Sequence, residues 1–155
     1  MRVREKSADR LQIGKNFITE EDVHIGEGTV IKNNVELREG TIIGKNCYID
    51  SGVKSSGNCR IGDNVTLRYD TIIARGCSIG DNTYVCPRVM TNNLDTDGKT
   101  IGGAIVGENC FIGTNAVLQH GIKIASNVII GAMSFVNKDC LEEGTYVGIP
   151  AKRLK

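Results

Sequence analysis

The sequence predicts an all-β domain, a chain wound into a parallel β-helix with one loop leaving its wall. A branched apolar residue returns at every sixth position. Three residues after nearly every such anchor comes Asn, Asp or Gly. Both patterns break once, between Val85 and Val106, where the frame slips by three. An amphipathic helix repeats near 3.6 residues and a half-buried strand at 2, so a period of six needs a coiled sheet.

The anchors run from Ile13 to Val85, with Thr19 and Ser55 as the polar departures, and again from Val106 to Val136. Of these nineteen anchors, seventeen are followed by Asn, Asp or Gly, the exceptions being Arg88 and Met133. Those residue types enter the positive-φ region at least steric cost, so the position reads as a tight corner. One residue further on, a small or branched side chain recurs, as in Val35, Thr41, Cys47 and Val53. All of the six cysteines except Cys86 fall in this slot. They read as core fillers, not as a disulfide frame or metal ligands, and reduced thiols suit a cytoplasmic home.

The whole chain, 1–155, is expected to be one domain: a lead-in at 1–12, coils at 13–90, a loop at 91–103, coils at 104–141 and a tail at 142–155. Lys plus Arg is 19 against 18 for Asp plus Glu, without the basic excess of a nucleic-acid binder. No apolar run approaches the ~18 residues of a membrane span. The start, MRVREKSADRLQIG, lacks the apolar core of a signal peptide, so a cytoplasmic location is expected.

A wall of short stacked strands has no deep concavity, and a small-molecule ligand needs one. The interrupted stretch supplies it. Val85 to Val106 is twenty-one residues, so an excursion of 3, 9 or 15 restores the frame, and the polar run Thr91–Thr100 places it near 90–103. The competing reading is a tolerated surface insertion.

Units such as Ile25-Gly-Glu-Gly-Thr-Val30 and Ile79-Gly-Asp-Asn-Thr-Tyr84 resemble those of the hexapeptide-repeat proteins. The resemblance implies a left-handed helix of triangular section with three hexapeptides to a coil, an exception to right-handed crossovers. The nineteen anchors then give about six coils, a prism roughly 30 Å long at the strand spacing. Ile112-Gly-Thr-Asn-Ala-Val-Leu118, Ile130-Gly-Ala-Met-Ser-Phe-Val-Asn-Lys-Asp139 and Gly148-Ile-Pro-Ala-Lys-Arg153 resemble the closing segment of the hexapeptide acyltransferases, nearest the sugar N- and O-acetyltransferases. That implies a homotrimer with acetyl-CoA as co-substrate in a groove between subunits. Gly113, Gly131 and Ile149 are each eighteen residues apart and should stack, with Thr114 and Ala132 beside them along the pantetheine track. Lys138, Lys152, Arg153 and Lys155 would supply cations near the phosphates. Met133 stands where the family has glycine.

Pro87-Arg-Val-Met-Thr-Asn92 resembles the subgroup that N-acylates nucleotide-linked amino sugars. This implies that Asn92 lies near the sugar amine, with Asn93 and Asp95 close by. The loop has no histidine, whereas the sugar O-acetyltransferases carry one there as general base. An alcohol needs such a base, while an amine attacks first and loses its proton afterwards, so the loop favours N-acylation. His120, eighteen residues before Lys138, is the candidate general base and, with Asn92, the candidate catalytic pair; otherwise it is an exposed corner residue. Sugar O-acetylation through His120 and a non-catalytic scaffold are the alternatives. A zinc hydratase on this fold needs three histidine ligands, and the chain has two, with His24 far away in the N-terminal coils. No metal site is expected.

Overall fold

Two-residue strands alternate with tight turns along almost the whole chain, as the six-residue unit dictates. The computed structural model describes residues 10–154, so Lys155 and the first nine residues of the lead-in lie outside the described residues. The strands fall into three sheets of nine, seven and six strands, one on each face of a prism. The first sheet runs from Gln12–Ile13 to Gly144–Gly148 and ends in the antiparallel strand Ala151–Arg153. The second runs from Ile18–Thr19 to Phe135–Val136, and the third from His24–Ile25 to Lys123–Ile124. All other strand pairings are parallel, and most join residues three hexads apart, as in Gln12 with Val30 and Ile18 with Glu36.

The first sheet is deeper than the expected six coils. Met90–Thr91, inside the interrupted stretch, is also a wall strand, and Gly144–Gly148 adds a layer beyond the last counted anchor.

The corners hold whichever residue occupies them. Arg88 (φ 59°) and Met133 (φ 61°) adopt the same left-handed conformation as Asn34 and Asp70. A non-glycine residue pays roughly 1–2 kcal/mol for this, and the stacked coils above and below enforce it. Corner N–H groups are capped by side chains one coil on: Lys15 by Asn33 Oδ1 (2.8 Å), Lys45 by Asp63 Oδ1 (2.8 Å) and Asp63 by Asp81 Oδ1 (2.8 Å). Ser51 and Ser126 do the same for Asn33 and Glu108.

The anchors Ile31, Leu37, Ile49, Leu67, Ile73, Ile112, Leu118 and Ile130 form the centre of the core. In the slot after the corner, Thr and Cys alternate for a common reason. Thr29 donates to Gly44 O (2.8 Å), Cys47 to Gly62 O (3.0 Å), Cys59 to Ala74 O (3.1 Å) and Thr71 to Cys86 O (3.1 Å), each fifteen residues ahead. A small side chain with one donor meets a carbonyl that the turn leaves available, and buried polar groups need such partners. All six thiols are free and buried.

Burial, helped by the neighbouring Cys77, pushes the Cys59 thiol up to about 11. Burial and then the charge of Asp139 do the same to Cys140, also to about 11. The folded state therefore keeps protons that the unfolded chain releases above the ordinary 9.0. Stability should hold up to about pH 9 and fall as pH rises from there to about 11. Urea midpoints across that window check this. Cys59→Thr, the other natural occupant of the slot, should flatten part of the fall, and an equal fall in that variant contradicts the assignment.

One position departs from the apolar wall. Asp50, its side chain 2% exposed, occupies a column that holds glycine at Gly14, Gly113 and Gly131 and a side chain at Lys32, Arg68 and Cys86. Its Oδ2 accepts from Arg68 Nε (2.9 Å) and its Oδ1 from the Ser51 N–H (2.8 Å). Arg68 Nη1 donates to Tyr84 Oη (2.6 Å), and the Tyr84 ring stacks on Phe111 with centroids 5.7 Å apart. The hydrogen bonds to Tyr84 and then to Asp50 raise the Arg68 pKa further.

Candidate functional site

Strand Met90–Thr91 stays in the wall, paired to Ile72 on one side and Val117 on the other. Thr91, six residues after Val85, is therefore a further anchor. Above it the register changes: Ser78 pairs with Ile105 and Tyr84 with Phe111, a spacing of twenty-seven in place of eighteen. The excursion is thus nine residues, Leu94 to Gly102. Its neck is closed by Asn93 O, which accepts from Ile101 N (2.9 Å) and Gly102 N (3.3 Å).

The loop folds into a small hairpin with a bridge between Leu94 and Thr100. Asp95 makes it: its Oδ1 accepts from the N–H groups of Asp97 (2.9 Å) and Lys99 (2.8 Å). That oxygen is committed to shaping the loop, which the sequence reading had as a contact for the acceptor.

Under the base of the loop lies a hollow of about 350 Å³. Ser56, Ile72 and Ala74 of the wall form one side, Asn92, Asn93 and Leu94 the other, with Thr91 between. No charged side chain lines it. Asn92 and Asn93 are thus brought together at this concavity. His120 is not among its lining residues; it is half-buried one coil on, where the neighbouring Gly121 N–H donates to Gly102 O at the neck (3.0 Å). Lys138 follows in the next coil and is exposed.

The other group lies on a different edge. Gly113, Thr114, Gly131 and Ala132 turn the corner between the first and second sheets, whereas the loop, His120 and Lys138 turn the corner between the second and third. The face of the second sheet separates them within one subunit. Gly113 does stack on Gly131: a Cβ on Gly113 would lie 2.5 Å from Ala132 N and 2.6 Å from Gly131 C. A side chain on Gly113 would therefore need the backbone of the next coil to shift. Ile149 does not continue the stack, because Ile130 pairs with Tyr146, sixteen residues on, and Val147 covers Gly131 instead. Past Cys140 the chain abandons the repeat and turns into the closing hairpin. Met133, 61% exposed, projects from the same edge. Arg153 is committed to Glu143 O (2.9 and 2.6 Å) and to Glu142 (3.5 Å), so its guanidinium ties the hairpin down; Lys152 is exposed.

Sequence reasoning overlooked Thr91, Ser56 and Ala74. The signal for Thr91 was its place on the anchor frame with a polar side chain. Among the described residues no group of three His, Cys, Asp or Glu side chains is arranged to hold a metal ion, and no helix is long and apolar enough to cross a membrane.

A family model, bacterial transferase hexapeptide (six repeats), matches residues 22–54 and 103–138. The chain is 34% identical to a bifunctional protein GlmU of Carboxydothermus hydrogenoformans over 54% of its own length and 19% of that protein. It is 28% identical to the galactoside O-acetyltransferase of Escherichia coli K12, over 63% of its own length and 54% of that protein. The chain therefore spans about half or less of these curated relatives. PerB of Caulobacter crescentus, solved with CoA and GDP-perosamine, superposes with a TM-score of 0.62 at 21% identity, covering 93% of this chain and 58% of PerB. A mutant of AntD, an N-acyltransferase of Bacillus cereus solved with dTDP-4-amino-4,6-dideoxyglucose and coenzyme A, gives 0.58 at 21%, covering 93% and 82%. The chain thus carries the hexapeptide repeat in the two matched segments and shares the left-handed parallel β-helix fold of these transferases.

Proposed function

We propose that the protein is an acetyl-CoA-dependent acyltransferase acting on the amine of a small polar acceptor, a nucleotide-linked amino sugar. The observation that carries this is the hollow at the loop base, which is neutral, rich in hydrogen-bonding groups and centred on Asn92 and Asn93. Structural neighbours solved with both CoA and a nucleotide-linked amino sugar support the acceptor class. The working unit is a cytoplasmic homotrimer. A second copy brings the Gly113–Gly131 edge of one subunit against the loop edge of its neighbour, completing a cleft that one chain leaves divided. Gly131 and Ala132 let the pantetheine approach backbone, and Lys138 and Lys152 face its phosphates.

In this reaction the acceptor nitrogen attacks the thioester carbonyl carbon. The C–N bond forms, backbone N–H groups hold the oxyanion, the C–S bond breaks, and the excess amine proton passes to the CoA thiolate or to His120. O-acylation with His120 as base is the second reading, favoured by that residue's position over the loop neck. Acetyl-CoA should raise the melting temperature and a suitable amino sugar should release free thiol. No stabilisation at millimolar acetyl-CoA sinks the proposal. His120→Ala should slow an amine transferase less than tenfold, but an alcohol transferase by about 10²–10⁴-fold.

A further inference from the structure

The second sheet carries a regular ladder on the side facing the loop. The residue after each anchor donates its N–H to the anchor carbonyl one coil on: Glu20 to Leu37 (3.1 Å), Ser56 to Ile73 (2.9 Å), Asn92 to Leu118 (3.0 Å) and Gln119 to Val136 (2.9 Å). The ladder fails at one rung. Ala74 N–H donates to the Thr91 side chain, Oγ1, at 2.7 Å, and not to the Thr91 carbonyl. The same hydroxyl donates to Ile72 O (3.0 Å) and accepts from the Cys77 thiol (3.4 Å), so it is fully engaged inside the wall. Among the described residues no backbone N–H donates to the Thr91 carbonyl.

Thr91 is 4% exposed, yet it lines the hollow between Ala74 and Asn92. With its side chain committed to the wall, what it presents there is main chain. The geometry points to the Thr91 carbonyl as a binding group of the hollow, released from the ladder by its own hydroxyl to accept an N–H from the acceptor's amine. This rests on the acyl-transfer reading and adds the group that orients the nucleophile. A carbonyl accepts only, so it holds the nitrogen by a hydrogen and leaves the lone pair for the thioester. It also faces the positive charge that develops on nitrogen as the C–N bond forms. The amide groups of Asn92 and Asn93 and the Ser56 hydroxyl then serve the neighbouring hydroxyls of a sugar ring.

The test is Thr91→Val beside Thr91→Ser, with dTDP-4-amino-4,6-dideoxyglucose and CoA as calorimetric probes. Valine occupies the anchor at Val85, Val106 and Val136, so the variant should fold. Without the hydroxyl, Ala74 N–H recaptures the carbonyl as the other rungs do. Amino-sugar affinity should fall about tenfold, the worth of one hydrogen bond, with CoA affinity unchanged, and serine should restore it. Unchanged amino-sugar affinity in the folded valine variant overturns the inference. So does a wild-type protein that binds CoA but not the amino sugar, although acyl transfer then stands. Binding of neither probe removes both.

Discussion

Excising Leu94 to Gly102 is expected to leave the protein folded while acyl transfer falls at least a hundredfold. Joining Asn93 to Gly103 produces Thr91-Asn92-Asn93-Gly103-Ala104-Ile105-Val106, which has an anchor, a corner glycine three residues on, a small core residue and the next anchor. The excised residues leave the wall at one neck and return to it there, and Thr96 to Ile101 are all exposed. Shortening a loop changes its closure entropy by well under about 1 kcal/mol, so the melting temperature should move by only a few degrees. The hollow, in contrast, loses Leu94 and the hairpin that holds Asn92 and Asn93 in place. A misplaced nucleophile costs on the order of 10²-fold. CoA binding should persist, because the Gly113–Gly131 edge is untouched. Loss of folding would show that the loop belongs to the wall, and full activity would show that the hollow is not the acceptor site.

Arg68→Ala is the second large effect, here on stability. It leaves the Asp50 carboxylate, 2% exposed, without its cation. Removing one partner of a buried pair costs about 3–5 kcal/mol. Arg68 is itself 33% exposed and water partly screens the pair, so the lower end, about 3 kcal/mol, applies. The melting temperature of a chain this size should fall by roughly 10 °C. Adding Asp50→Gly should recover most of the loss, since glycine fills the same column at Gly14, Gly113 and Gly131. A double variant no better than the single one would show that Arg68 acts through Tyr84 and the aromatic stack, not through Asp50.

The wall was readable because every coil repeats the same physical demands. Anchors, corners and fillers recur at six, and even Arg88 and Met133, which do not look like corner residues, are forced into corner geometry. The interchange of Thr and Cys was visible as a pattern, but its cause, a carbonyl fifteen residues ahead, needs three dimensions. The site was less legible where periodicity ends. The stack predicted for Ile149 assumed that the repeat outlasts Cys140, and the hairpin shifts the register by two residues. Asp95 could be placed on the loop but not oriented, because its hydrogen bonds to Asp97 and Lys99 are local turn chemistry. Thr91 was hidden by its position, since a threonine on the anchor frame looks like a weak anchor until the ladder beneath it is traced.

The corner hydrogen bonds tie each coil to both of its neighbours. The N–H groups of Lys15, Asn33, Lys45, Asp63 and Glu108 are each satisfied by a side chain from the following coil, eighteen residues later. Cutting coils away from the C-terminal side bares these donors, whereas cutting from the N-terminal side bares the next residue of each corner, since Asn34, Asn46 and Asn64 donate to Lys15 O, Glu27 O and Lys45 O of the preceding coil. A chain emerging N-terminus first therefore completes each corner only when its successor arrives. An interior corner is satisfied only between two others, and the closing hairpin stands where the last coil has no successor.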